Sequence, residues 1–125
     1  MTNLTQHLQS VSLEEREAQN GHQSAVLWFA GLSASGKSTI AMATQRELFK
    51  RDIQITVLDG DNVRHGLNAG LGFSEADREE NLRRVAEASK LFAETGFIVL
   101  TSFISPLRAN REAARKIVEP MNFFK

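Results

Sequence analysis

Eight residues from Gly31 to Ser38, Gly-Leu-Ser-Ala-Ser-Gly-Lys-Ser, place two glycines, a lysine and a hydroxyl at the spacing G-x-x-x-x-G-K-[ST]. Gly31 and Gly36 permit backbone angles closed to other residues, so successive N–H groups can turn inward around a phosphate while a helix begins at Lys37. The positive end of that helix then faces the anion. Lys37 suits the β- and γ-phosphates of a nucleoside triphosphate, and the Ser38 hydroxyl suits a Mg²⁺ bridging them. The five residues before the loop, Val26 to Ala30, are an apolar run that reads as a buried strand. Strand before and helix after is the context that turns this spacing into a phosphate cradle.

Three other groups could do chemistry. Asp59-Gly60-Asp61-Asn62 follows a β-branched run, which puts two carboxylates near a triphosphate. They suit a water ligand of Mg²⁺ or a proton on an attacking hydroxyl. Read without a ligand, the same residues make a capped Asp-Gly turn. Arg78, Asn81, Arg83 and Arg84 fall at the start of a predicted helix, where cations oppose the helix dipole. That placement needs either carboxylate neighbours such as Glu79 and Glu80 or an anionic ligand. Ser105, just before Pro106, suits a helix cap or a site residue.

The elements that must position these groups follow from pattern. A helix is expected from Lys37 to about Phe49, with Ile40, Ala41, Ala43 and Leu48 toward a sheet and Gln45, Arg46 and Glu47 largely outward. Ile53 to Leu58 reads as a second strand. Asn62 to Phe73, punctuated by Gly66, Gly70 and Gly72, reads as a short helical turn and then a loop ending in an exposed aromatic. Ser74 to Asp77 is a capping signature for a helix whose apolar face is Leu82, Val85, Ala86, Ser89, Phe92 and Ala93, and Gly96 ends it. Phe97 to Thr101 is a third strand. A last helix turns Ala113, Ala114, Ile117 and Val118 inward, with Arg108, Arg111, Arg115 and Lys116 mostly outward, and Glu119-Pro120 stops it. Met121 to Phe124 begins a fourth strand. Residues 1–24 form a polar amino-terminal arm with a short helix around Leu13 to Ala18 beginning after Ser12, and residues 25–125 form the nucleotide-binding domain. The fold class is α/β, a parallel sheet flanked by helices.

At 125 residues this is one domain, small for a doubly wound nucleotide enzyme. Fifteen basic and fifteen acidic side chains cancel, so no net field favours nucleic acid or an anionic membrane. The absence of cysteine excludes disulfides, thiolate zinc sites and a thiol nucleophile. No secretory signal or membrane-spanning run is present, so the expected location is cytoplasmic.

Four stretches resemble the adenylylsulfate kinase (APS kinase) family, which phosphorylates the 3′-hydroxyl of adenosine 5′-phosphosulfate with ATP. They are GLSASGKST at Gly31 to Thr39, DGDNVRHGLN at Asp59 to Asn68, LGFSEADREENLRR at Leu71 to Arg84 and FISPLR at Phe103 to Arg108. Weaker agreement covers GHQSAVLWF upstream. The resemblance implies a P-loop kinase fold in which Gly31, Leu32, Ser33, Ala34, Ser35, Gly36, Lys37, Ser38 and Thr39 hold ATP, with Mg²⁺ on Ser38 and Asp61. Asp61 matches the base or metal-water ligand near the 3′-hydroxyl, supported by Asp59. Arg64, Arg78 and Asn81 match contacts to the phosphosulfate or adenylyl part, Phe73 an aromatic stacking on adenine, and Ile104 and Ser105 contacts on the other side. Planar guanidinium groups suit sulfate and phosphate oxygens. The family is often described with a phosphoserine at the Ser105 position. Direct in-line transfer needs no covalent enzyme and no activating histidine or lysine is visible beside it, so a binding role is favoured and Ser105 stays among the catalytic candidates with Lys37 and Asp61.

Two departures stand out: Ala69-Gly70 where the family has a charged pair, and Leu107 where it has an aromatic. The chain also stops where the family continues through its fourth strand, a basic lid, a fifth strand and a closing helix, so an incomplete carboxyl-terminal part is expected. The leading expectation is sulfate activation by ATP-dependent 3′-phosphorylation. A catalytically weak nucleotide-binding fragment and another small-molecule kinase with the same loop are the alternatives. A homodimer and association with an ATP sulfurylase are left open.

Overall fold

The computed structural model describes residues 10–29, 37–59, 63, 66–72, 74–103 and 108–124, the side chains of Lys37 and Ser38 excepted. The strands β1 (Ala25–Phe29), β2 (Ile55–Asp59), β3 (Ile98–Ser102) and β4 (Phe123–Phe124) form one sheet in the order β2-β3-β1-β4. Every pairing is parallel. Helices α1 (Leu13–Asn20), α2 (Lys37–Lys50), α3 (Glu75–Glu94) and α4 (Arg108–Val118) complete the described fold. This is the α/β arrangement, a parallel sheet flanked by helices, expected from the pattern; the fourth strand starts at Phe123, two residues later than the expected Met121.

A parallel sheet is covered on both faces, and the strand residues partition with period two. Val26 and Trp28 of β1 and Val99 of β3 face a core shared with Leu82, Val85, Ala86 and Ala93 of α3 and Ala114 and Val118 of α4. Leu27 and Phe29, Ile55 and Val57, and Ile98 and Leu100 face the opposite core, which includes Ala41 and Leu48 of α2. The helix after β1 therefore packs on one face, and the helix after the neighbouring β3 packs on the other. A crevice at the carboxyl ends of β1 and β3 is where an open α/β sheet binds ligands.

The strand bounds differ from the pattern by one or two residues. Asp52 adopts a left-handed conformation (φ 63°) and the Ile53 N–H still bonds Leu48 O at 3.1 Å, so Ile53 closes the end of α2 and β2 starts at Ile55. At the other end, β2 and β3 each run one residue further, because Asp59 and Ser102 pair in register.

The face of α2 also differs. Ala41 is fully buried and Leu48 packs beside it, while Ile40 is 56% exposed and Ala43 is exposed. Positions 41, 45 and 48 share one stripe, so Gln45 is half-buried where an outward position was expected. A small alanine lets the helix lie close to the sheet. In α4 the same rotation leaves Ala113 exposed while Ala114 and Val118 are buried. Phe92 of α3, expected on the buried face, is 38% exposed and packs edge-on to Phe97, with ring centroids 5.9 Å apart, while Ala93 beside it is fully buried.

At the amino terminus, Ser12 and Glu15 form a reciprocal capping box that opens α1, and Gly21 (φ 79°) closes it two residues later than the pattern suggested. None of its residues is buried, and polar contacts hold it instead. Asn20 Nδ2 donates to Gly96 O at 3.1 Å, and Glu17 Oε2 accepts from Ser24 N at 2.8 Å. Gly96 ends the turn after α3 at φ 96°, a backbone conformation that favours glycine, and a Cβ there would also displace the Asn20 amide 2.8 Å away. Among the described residues no helix is long and apolar enough to cross a membrane.

Candidate functional site

Phe29, Ser102 and Asp59 lie level at the carboxyl edge, one at the end of each of three adjacent strands. Beyond Phe29 the next described residue is Lys37, whose backbone opens α2, a helix with no acidic side chain in its first turn to offset the positive end of its dipole. Gly31 to Gly36 lie outside the described residues, as do the side chains of Lys37 and Ser38; Thr39 is exposed. Asp59 is half-buried at the end of β2, with a bonding partner. Asp61, Arg64, Phe73, Ile104 and Ser105 lie outside the described residues. The sequence candidates whose side chains can be located are thus Thr39, Asp59, Arg78 and Asn81.

A buried anchor, Val63, stands in the region after β2. Val63 is 3% exposed and belongs to the core beneath α3. From it the chain turns through Gly66 to Gly70, with Gly66 N and Asn68 N both donating to Val63 O, at 3.2 and 3.0 Å. The entry to α3 is fixed by its own side chains. Ser74 Oγ accepts from Asp77 N at 3.1 Å, and Asp77 Oδ2 accepts from Gly72 N at 2.8 Å. Arg84 Nη1 reaches back to Leu67 O at 3.2 Å. These contacts tie the loop to the first turns of α3, where Arg78 and Asn81 sit three residues apart on one face.

The cations in those first turns divide into two groups. Arg83 grips Glu80 through two hydrogen bonds of 2.8 and 2.7 Å, and Arg84 Nε bonds the same carboxylate at 2.7 Å. Arg83 Nη1 also lies 3.8 Å from Glu87. Carboxylate neighbours therefore account for Arg83 and Arg84. Arg78 is exposed and makes no ion pair among the described residues, and it is the cation still to be explained by an anion.

The hydrogen bonds from Arg83 and then Arg84 pull the Glu80 carboxyl down from its ordinary value of 4.5 to about 2. A depressed folded value contributes stability above pH 4.5 that disappears as the pH falls toward 2. Glu80→Gln should accordingly melt below the parent chain at neutral pH and low salt. The gap should narrow through the acid range and close near pH 2. Melting temperatures of both proteins across that range check this, and a gap independent of pH would show that the pair does not stabilise the fold.

Two polar residues without a role in the sequence reading stand at this end of the molecule. Ser102, 3% exposed at the end of β3, has a buried hydroxyl without a hydrogen-bond partner among the described residues. Asn68, 2% exposed, donates from Nδ2 to Asn81 Oδ1 and, at 3.4 Å, to Asn81 O. A polar residue between glycines and just past an acidic turn was the available signal for Asn68. Its partner 13 positions away was not readable from spacing.

Residues 23–125 match the family described as Adenylylsulphate kinase. A probable adenylyl-sulfate kinase of Bacillus subtilis is 54% identical over 125 residues, covering 98% of this chain and 64% of that protein. The adenylyl-sulfate kinase of Staphylococcus carnosus is 54% identical over 121 residues, covering 97% of this chain and 61% of its own length. Among solved structures, the Mycobacterium tuberculosis APS kinase in complex with AMPPNP and APS superposes with a TM-score of 0.79 at 51% identity. The match covers 82% of this chain and 60% of that one. The chain thus spans somewhat less than two thirds of the length of these relatives. With the parallel sheet, the helix opening at Lys37 and a family match over residues 23–125, this chain belongs to the adenylylsulphate kinase family.

Proposed function

We propose that this chain transfers the γ-phosphoryl group of ATP to the 3′-hydroxyl of adenosine 5′-phosphosulfate, giving 3′-phosphoadenylylsulfate and ADP. The observation that carries the reading is the common carboxyl edge. The segment from β1 to α2 bears the phosphate-binding spacing, and Asp59 ends a strand of the same sheet there. Arg78, a cation with no ion pair among the described residues, stands on the helix that follows the acidic turn. The Mycobacterium tuberculosis relative, solved with AMPPNP and APS together, supports the choice of both substrates.

In this reading residues 31–38 hold the ATP phosphates, with Lys37 at the migrating group. The Ser38 hydroxyl and the Asp61 carboxylate are hard oxygen donors of the kind Mg²⁺ takes, and Asp59 brings a further carboxylate to this edge. A Mg²⁺ held by these residues would neutralise charge on the triphosphate. Asp61 orients or deprotonates the 3′-hydroxyl, Arg64, Arg78 and Asn81 hold the phosphosulfate, and Phe73 stacks on the adenine. Ile104 and Ser105 contact the acceptor from the side of β3. A cytoplasmic setting accompanies this role.

The test is ADP release by the purified chain with ATP and Mg²⁺, with and without adenosine 5′-phosphosulfate. Release that depends on the acceptor is the expected result. Nucleotide binding without such release would favour a nucleotide-binding unit that lacks the chemistry, and release promoted by other alcohols but not by this acceptor would favour a different small-molecule kinase.

A further inference from the structure

Asn81 carries a side-chain amide, a group with a donating end and an accepting end of nearly equal shape. Which end faces the ligand decides whether the residue attracts an anion or repels it. The structure contains a device that makes this choice. The Asn81 backbone oxygen can only accept, so the atom of Asn68 that faces it is the NH2 group. The same NH2 group faces the side-chain oxygen of Asn81. With its oxygen held, the Asn81 amide directs its own NH2 group away from Asn68, and that NH2 makes no hydrogen bond among the described residues.

Asn68 is held for this task. Its N–H bonds Val63 O at 3.0 Å, its carbonyl accepts from Leu71 N at 3.2 Å, and Val63 is rooted in the core under α3. A second observation argues against a purely structural role. Among the described residues Asn68 Oδ1 is buried with no hydrogen-bond partner, so the accepting half of this amide is unused there. A buried acceptor left unpaired costs stability that an apolar side chain of similar volume would not. The residue is a poor choice for packing and an apt one for orienting Asn81.

We propose that Asn68 is a positioning residue for the acceptor site: it fixes the Asn81 amide so that a donor, not an acceptor, is presented to the phosphosulfate. This inference rests on the proposed function, in which Asn81 contacts that anion. It predicts that reversing the polarity at position 68 reverses the amide at position 81. In Asn68→Asp the carboxylate cannot donate, so the Asn81 NH2 group turns toward it and the Asn81 oxygen turns toward the substrate.

The experiment is calorimetric titration of the whole chain, in Mg²⁺, with a non-hydrolysable ATP analogue and with adenosine 5′-phosphosulfate in its presence. For Asn68→Asp, acceptor affinity should fall by about 10- to 100-fold, as expected when a charge-assisted hydrogen bond is lost. Affinity for the ATP analogue should stay within about twofold, because the phosphate loop is a separate site. On an Asn81→Ala background Asn68→Leu, which adds no charge, should cost nothing further, since its effect passes through the Asn81 amide. Asn68→Leu, which keeps the volume and brings no charge into the core, supplies the same comparison where Asn68→Asp does not fold, with an expected loss of about tenfold. Unchanged acceptor affinity, equal losses for both ligands, or a full additional loss on the Asn81→Ala background would each overturn the positioning role. Parent chain that binds the ATP analogue but not adenosine 5′-phosphosulfate would overturn the proposed function itself, a result read before any variant is made.

Discussion

Lys37→Ala is expected to lower acceptor-dependent ADP release by a factor on the order of 10²–10³, the usual loss when one preorganised charge is removed from a developing anion. The fold should survive. Lys37 opens α2, and alanine is a better helix former than lysine, so the substitution removes no backbone requirement. The loss should fall mainly on kcat, because charge on the migrating phosphoryl oxygens is greatest in the transition state and nucleotide binding retains the backbone N–H cradle. Lys37→Arg should not rescue it. A planar guanidinium is larger than an ammonium and presents its donors in a fixed fork, which a loop spaced for a point charge does not accommodate. Steady-state kinetics with a melting curve for each variant checks this. Unchanged turnover in Lys37→Ala with the fold intact would refute the assignment of residues 31–38 as the phosphate loop.

How far the fold was legible depends on which elements carry their own signal. β1 was readable because a strand buried on both faces must be continuously apolar, and Val26 and Trp28 face one core while Leu27 and Phe29 face the other. The start of α3 was readable because the Ser74 side chain caps the Asp77 N–H three residues on, a local pattern. Glu80 with Arg83 and Arg84 at spacings of three and four was also local, and carboxylate neighbours were one of the two readings open for those arginines. The face of α2 was not readable in the same way. Ile40, Met42 and Phe49 are exposed large apolar side chains on a helix whose buried stripe runs through Ala41 and Leu48. Hydrophobicity alone favours Ile40, but close packing against a sheet favours the small residue. The exact strand ends depend on register, which only the pairing of Asp59 with Ser102 decides. Of the site, the spacing gave positions on one edge. The orientation of Asn81 depends on a side chain across a loop, and no local pattern encodes that.

The second large effect is on stability, at Trp28. This residue is 1% exposed in a strand flanked by β3 on one side and β4 on the other, and its ring lies 5.8 Å from that of Phe123 at 34°. It belongs to the core that joins α3 and α4 to the sheet. Trp28→Ala should therefore destabilise the fold by about 3–5 kcal/mol, a large part of the ~5–15 kcal/mol that holds a typical domain together. The urea midpoint should fall steeply with an unchanged slope. Trp28→Phe separates two contributions. Among the described residues the indole Nε1–H is buried without a hydrogen-bond partner, so the phenyl ring removes an unsatisfied donor while it gives up some volume. The two changes oppose each other, and the net cost should be roughly 1–2 kcal/mol, less than half that of the alanine variant. Equal midpoints for Trp28→Phe and Trp28→Ala would mean that the indole N–H is satisfied in solution and that aromatic volume alone does not account for the stabilisation. Because Phe29 is the next residue and ends the strand at the carboxyl edge, the strand that Trp28 anchors is also the one that leads into the proposed phosphate loop. Any loss of nucleotide affinity in Trp28→Phe should consequently track its loss of stability, whereas Lys37→Ala should lose turnover with no such loss.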